Sequence, residues 1–170
     1  MEQNKILTII LNFSENGELG CEFKCSFCFW KGTDQSGFRS VPSDIHINNF
    51  IDDFGKYKIP NHPIILNGGG DPFFKYEQNK EEIFRIIRTI RKRGLGVGIH
   101  AFNIGKAYKN FDELSQYVEE WKFSIQKMTD GAREKLKKFY NVGVSIVVNS
   151  TTTEEYLERY CQFLYWSIRF

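Results

Sequence analysis

Short apolar runs alternate with helix-period patterns along the whole chain, and no other feature constrains its fold as strongly. Ile6–Phe13 is a continuous apolar, β-branched run of the kind buried on both faces of a sheet. Ser43 or Asp44 then caps a helix in which Ile47, Phe50, Ile51 and Phe54 recur at helical spacing, and Gly55 and Pro60 close it. Pro63–Leu66 reads as a second strand, running into Gly68-Gly69-Gly70. A second helix is expected over about Asn79–Arg93, with Ile83, Ile86, Ile87 and Ile90 inward and Gly94 as its stop. Val97–Phe102 is the third strand. Asn110 and Glu113 open a third helix after a turn around Ala107, with Phe111, Leu114 and Val118 inward. Trp121–Gln126 is the fourth strand. Thr129 or Asp130 caps a fourth helix bearing Ala132, Leu136, Phe139 and Tyr140, and Val142–Val148 is the fifth strand. Thr152-x-x-Glu155 opens a fifth helix with Leu157, Tyr160, Cys161 and Leu164 on one stripe, and Trp166–Phe170 reads as a sixth strand.

Strands that alternate with helices predict an α/β fold with a mainly parallel sheet. Six strands fall short of the closed eight-stranded barrel, so the expectation is a six-stranded partial (β/α)6 barrel. One domain over 1–170 suffices for 170 residues. Ligand sites in such folds gather at the C-terminal ends of the strands. The loops after the first two strands, rich in cysteine and in glycine, therefore belong to one rim.

Composition removes several classes of function. Aromatic residues make up 16% of the chain, which opposes disorder. Lys and Arg exceed Asp and Glu by 23 to 21, too slight a surplus to indicate a nucleic-acid partner. The arginines and lysine at 85, 88, 91, 92 and 93 read as a solvated helix face. No apolar run approaches the roughly 20 residues that span a bilayer, and Met1–Lys5 does not begin a signal peptide. A cytoplasmic protein without a membrane partner is the expectation.

Cys21, Cys25 and Cys28 form a C-x3-C-x2-C cluster. Three close cysteines without a secretion signal make a poor disulfide framework and a good metal site. Thiolates at such spacing hold iron–sulfur clusters, and three of them leave one iron of a four-iron cubane open to a small molecule. Zinc is the rival, and it would need a fourth ligand from Cys161, His46, His62 or His100. Cys161 reads instead as a core residue on a helix stripe.

Cys21-x3-Cys25-x-Phe27-Cys28, with an aromatic just before the third cysteine, resembles the signature of the radical S-adenosylmethionine enzymes. Gly69-Gly70-Asp71-Pro72 after the second strand resembles that family's glycine motif, with Asp in place of Glu. The resemblance implies a partial barrel and a [4Fe-4S] cluster on Cys21, Cys25 and Cys28. It implies S-adenosylmethionine as second cofactor, its amino group received by the backbone of Gly68, Gly69, Gly70 and Asp71. By the same analogy Phe27 lies against the adenine, while Ser124 and Asn149 stand near the ribose or carboxylate. His100 and Asn103, at the end of the third strand, are candidates to face the open centre.

The activity implied is reductive cleavage of S-adenosylmethionine to a 5′-deoxyadenosyl radical that takes hydrogen from a substrate. The resemblance also implies an electron donor such as flavodoxin or ferredoxin, and a small-molecule, peptide or protein substrate. Compact relatives offer two patterns, the activases of anaerobic ribonucleotide reductase and the 7-carboxy-7-deazaguanine synthases. The Cys-Pro-Gly-Cys loop common in the first differs from Cys25-Ser26-Phe27-Cys28, and the second's substrate motifs are not evident. A non-catalytic zinc or iron–sulfur interaction protein is the reading from another class. The chain's shortness is read either as truncation after the sixth strand or as a need for a partner, a second copy included, to close the open side.

Overall fold

Five parallel strands hydrogen-bond in simple chain order, β1-β2-β3-β4-β5, in a computed structural model that describes residues 5–14, 20–23, 25, 28, 39–125, 129–146, 154, 155 and 158. The strands are β1 (Thr8–Leu11), β2 (Ile64–Gly68), β3 (Val97–Ala101), β4 (Glu120–Ser124) and β5 (Val142–Ser145). Between them run α1 (Asp44–Phe54), α2 (Tyr76–Lys92), α3 (Ile104–Lys109), α4 (Phe111–Leu114) and α5 (Asp130–Leu136). The sheet is open and fits a partial barrel. The expected sixth strand, Trp166–Phe170, lies outside the described residues, as does Cys161. Glu154, Glu155 and Glu158 are helical, within the stretch read as the fifth helix.

The strand order explains the two unlike faces of the sheet. Each crossover advances by one strand in the same direction, and crossovers between parallel strands are right-handed, so the helices gather on one face. That face is apolar. Leu66, Ile99, Trp121 and Phe123 are buried there with Ile47 of α1, Ile83, Ile86, Ile87 and Ile90 of α2, and Leu114 of α4. The register places the alternate residues on the other face: Thr8 and Ile10 beside Ile65 and Asn67, then Gly98 and His100, then Glu120, Lys122 and Ser124, then Gly143 and Ser145. Among the described residues no helix covers that face, and Asn67, His100, Lys122, Ser124 and Ser145 make its upper part polar.

This asymmetry corrects the reading of the first run as buried on both sides. Ile9 and Leu11 are buried, whereas Ile10 is 49% exposed and Ile6 56%. β1 is the edge strand, with helices against one face only.

The helix ends follow local chemistry, with three revisions. Ser43 caps α1, Thr129 caps α5 by accepting from the Ala132 N–H at 3.1 Å, and Gly94 turns at φ 70° after α2. α2 begins at Tyr76 rather than near Asn79, after Lys75 in a left-handed conformation. Asn79 is buried within the helix, and its amide donates back to the Phe74 carbonyl at 3.0 Å. The turn expected around Ala107 is itself a helix, α3, capped by Asn103, whose side chain accepts from the Lys106 N–H at 3.0 Å. Asn110 both ends α3, donating to the Lys106 carbonyl, and stands at the N-cap of α4 as expected, though its side chain makes no cap bond there. Finally, α5 stops at Leu136. Tyr140 lies beyond it, 47% exposed, with its hydroxyl donating to the Ser115 and Val118 carbonyls.

The basic run on α2 is not simply solvated. Arg85 pairs with Asp44 and Arg93 with Asp52, both on α1, and Arg91 pairs with Glu119. Two of its cations thus fasten one helix to another.

Candidate metal and cofactor site

The cysteine loop is anchored at its start by buried polar groups at the end of β1. Asn12 is buried, and its side-chain oxygen accepts from the Ser14 N–H at 3.0 Å and from the Ser14 hydroxyl. The Ser14 hydroxyl oxygen accepts from the Gly20 N–H at 2.7 Å. The glycine loop completes the anchor, with the Asp71 N–H donating to the Gly20 carbonyl at 2.8 Å.

Glycine is required here for close approach of backbone to backbone. A Cβ on Gly70 would stand 2.0 Å from the Gly20 oxygen, and one on Gly68 would stand 2.2 Å from the Gly70 oxygen. Both separations are impossible, so the Gly68–Gly70 turn and its seat against Gly20 depend on the missing side chains. A Cβ on Gly69 would meet nothing closer than Asn12 at 3.4 Å.

Asp71 joins a third loop to the other two. Its side chain is buried and accepts three backbone N–H groups, from Phe73 at 2.7 Å, Phe102 at 2.8 Å and Asn103 at 2.7 Å. Burial pushes its carboxyl above the ordinary range, while the three donors and the Lys106 charge pull it back. With both oxygens engaged on backbone, Asp71 is a clamp on the end of β3. The cysteine loop docks on the same place. Glu22 pairs with Lys106 and accepts from the Asn103 amide at 3.3 Å, and the Phe23 and Phe102 rings pack at 5.3 Å.

Together these ties build a pocket of about 360 Å³ at the C-terminal ends of the strands. Cys21, Cys25 and Cys28 line it with Gly68, Gly69 and Gly70. Deeper in, the second face of the sheet contributes His100, Lys122, Ser124 and Ser145. The expected residues Gly68, Gly69, Gly70 and Ser124 thus share one cavity with the three cysteines. Asp71 and Asn103 are structural neighbours of that cavity. Phe27 and Asn149 lie outside the described residues. His46 bonds to Ser43 at the start of α1, and His62 lines a separate pocket with Lys58 and Arg91. Sequence reasoning missed Asn12, Ser14 and Glu22, whose roles depend on partners brought close only by folding.

The donor set suits a cluster better than a single ion. Cys25 is buried, Cys21 and Cys28 are half-buried, and none is in a disulfide. Burial pushes the Cys21 thiol up to about 11, and the Phe23 N–H, 3.4 Å from its sulfur, partly opposes this. A soft metal that displaces the proton would find a thiolate already offered a hydrogen bond. Among the described residues, no three His, Cys, Asp or Glu side chains are gathered closely enough for one metal ion. A cubane makes a looser demand, because its thiolates bind different irons.

A parallel α/β sheet with three thiols and a glycine turn on one rim defines a cluster-binding protein. The particular family follows from the sequence match: residues 18–146 match the 4Fe-4S single cluster domain, so the chain belongs to that family and is an iron–sulfur protein. No curated protein and no solved structure matches the chain. No helix among the described residues is long and apolar enough to cross a membrane.

Proposed function

We propose that this protein is a radical S-adenosylmethionine enzyme. The observation that carries the reading is one pocket lined by three cysteines, with no fourth among the described residues, and by the backbone of a Gly-Gly-Gly turn. Membership of the 4Fe-4S single cluster domain family, which is found in radical S-adenosylmethionine-type proteins, supports the iron–sulfur cluster on which the reading depends. A reduced [4Fe-4S] cluster with one iron free of protein would supply the electron that cleaves S-adenosylmethionine to the 5′-deoxyadenosyl radical.

The protein's own contribution is binding, orientation and exclusion of water. Cys21, Cys25 and Cys28 hold three irons. Gly68, Gly69 and Gly70 offer side-chain-free backbone to the methionine end. By the family resemblance Phe27 would serve the adenine, and Ser124 and Asn149 the ribose or carboxylate. Asp71 acts one step back, holding the glycine turn against the end of β3. The electron comes from a donor such as flavodoxin or ferredoxin. The hydrogen comes from a small-molecule or peptide substrate, and activase-like and deazaguanine synthase-like chemistries are the two compact patterns.

Anaerobic reconstitution with iron and sulfide tests this. A brown protein that releases 5′-deoxyadenosine from S-adenosylmethionine under reductant is expected, with release abolished in Cys25→Ala. A colourless protein holding one tight zinc would sink the reading.

A further inference from the structure

Beneath the cysteine rim, the pocket wall carries a charge that no side chain among the described residues answers. β3 and β4 pair His100 with Lys122, and both line the cavity. The stem of Lys122 lies over Gly143 of β5, where a Cβ would be 3.6 Å from its Cγ. Lys106, Lys137 and Lys138 each meet a carboxylate. Lys122, among the described residues, has neither an ion-pair nor a hydrogen-bond partner.

His100 is similarly unfinished. Its Nε2 is buried without a hydrogen bond, because the nearest carboxylate oxygen, on Glu120, is 3.7 Å away. Glu120 is already shared, with His62 also 3.7 Å from its other oxygen. Burial and the Lys122 charge hold the His100 imidazole below its ordinary range, against the pull of Glu120, so it stays neutral near pH 7. Lys122, His100 and the hydrogen-bonded hydroxyls of Ser124 and Ser145, 3.0 Å apart, thus line one cavity.

A lining cation with no partner among the described residues matches an oxyanion. Glu120, two residues from Lys122 on the same face, selects its charge. A dianion would meet that carboxylate without a second cation, whereas a monoanion is answered by Lys122 alone.

We propose that Lys122, beside His100, forms the substrate subsite of this pocket, and that it takes a substrate bearing a carboxylate, with Lys122 as ion partner. The substrate role rests on the radical-enzyme reading above. Carboxylate binding itself does not.

The test uses the full chain with its cluster reconstituted anaerobically, and carboxylate-labelled acetate and inorganic phosphate as probes followed by NMR. Equilibrium dialysis measures S-adenosylmethionine in parallel. Acetate affinity is expected to fall about tenfold or more in Lys122→Met and Lys122→Gln, and to persist in Lys122→Arg. Affinity for S-adenosylmethionine should stay within about twofold, less than one charge-assisted bond contributes. Acetate binding unchanged in both neutral variants would overturn the proposal. So would a parallel loss of S-adenosylmethionine, which would assign Lys122 to the cofactor's own carboxylate, or Lys122-dependent binding of phosphate tighter than acetate. If the loaded protein releases no 5′-deoxyadenosine, the radical reading fails while the acetate result still reports on the subsite.

Discussion

At the scale of single residues, the glycine turn has two roles that substitution separates. Gly70 lacks a side chain because the Gly20 carbonyl occupies the space, and Gly69 has room for a methyl. Gly70→Ala should therefore destabilise the fold by about 3 kcal/mol or more, since backbone cannot yield as a side chain end can. Gly69→Ala should cost about 1 kcal/mol or less in urea unfolding. If Gly69 receives the cofactor, that stable variant should still lose S-adenosylmethionine binding. Equal stability losses in the two variants would contradict the packing geometry. Asp71 teaches the same distinction. In the sequence it was the acid of the glycine motif, and in the fold its oxygens satisfy three backbone donors on two segments.

At the scale of elements, β4 is fully buried on its helix side. Trp121 and Phe123 are fully buried, stacked at 6.4 Å, and both pack on Phe139. Trp121→Ala should cost about 3–5 kcal/mol. Trp121→Phe should cost no more than about 1.5 kcal/mol, because the indole N–H is buried without a partner and removing it relieves an unmet donor. Thermal or urea melts of the two variants decide this. The α1–α2 joint makes a different prediction. Hydrogen bonds from Arg85 and Thr89 lower the Asp44 carboxyl, and one from Arg93 lowers that of Asp52, each below an ordinary value of 3.8. A depressed carboxyl contributes stability above its unfolded value and loses it as pH falls through its folded value. Acid titration by carboxyl NMR should place both groups below 3.8, and their stabilisation should fade below about pH 4. Asp44→Asn should flatten that part of the stability profile.

At the scale of the whole molecule, the loops after β1, β2 and β3 are joined by the protein's own groups, through Gly20, Asp71 and the Glu22–Lys106 pair. A cluster on Cys21, Cys25 and Cys28 would add ties within the first loop and stabilise the native state by mass action. Reconstituted protein should melt several degrees above the apoprotein, and chelation should reverse the gain. An unchanged midpoint would mean that the cluster binds no more tightly to the folded chain than to the unfolded one. The sequence by itself determined the parallel α/β plan, most strand positions, helix starts at Ser43 or Asp44 and at Thr129 or Asp130, and the cysteine motif, because hydrophobic period, capping chemistry and ligand spacing are local properties. Only the tertiary structure decided that β1 is half exposed, that α3 exists, that Asp71 clamps the backbone and that Lys122 stands unpaired beside His100. Each of those depends on which distant residue arrives opposite, and strand register, one face bare of helices and the packing of loop on loop settle that together.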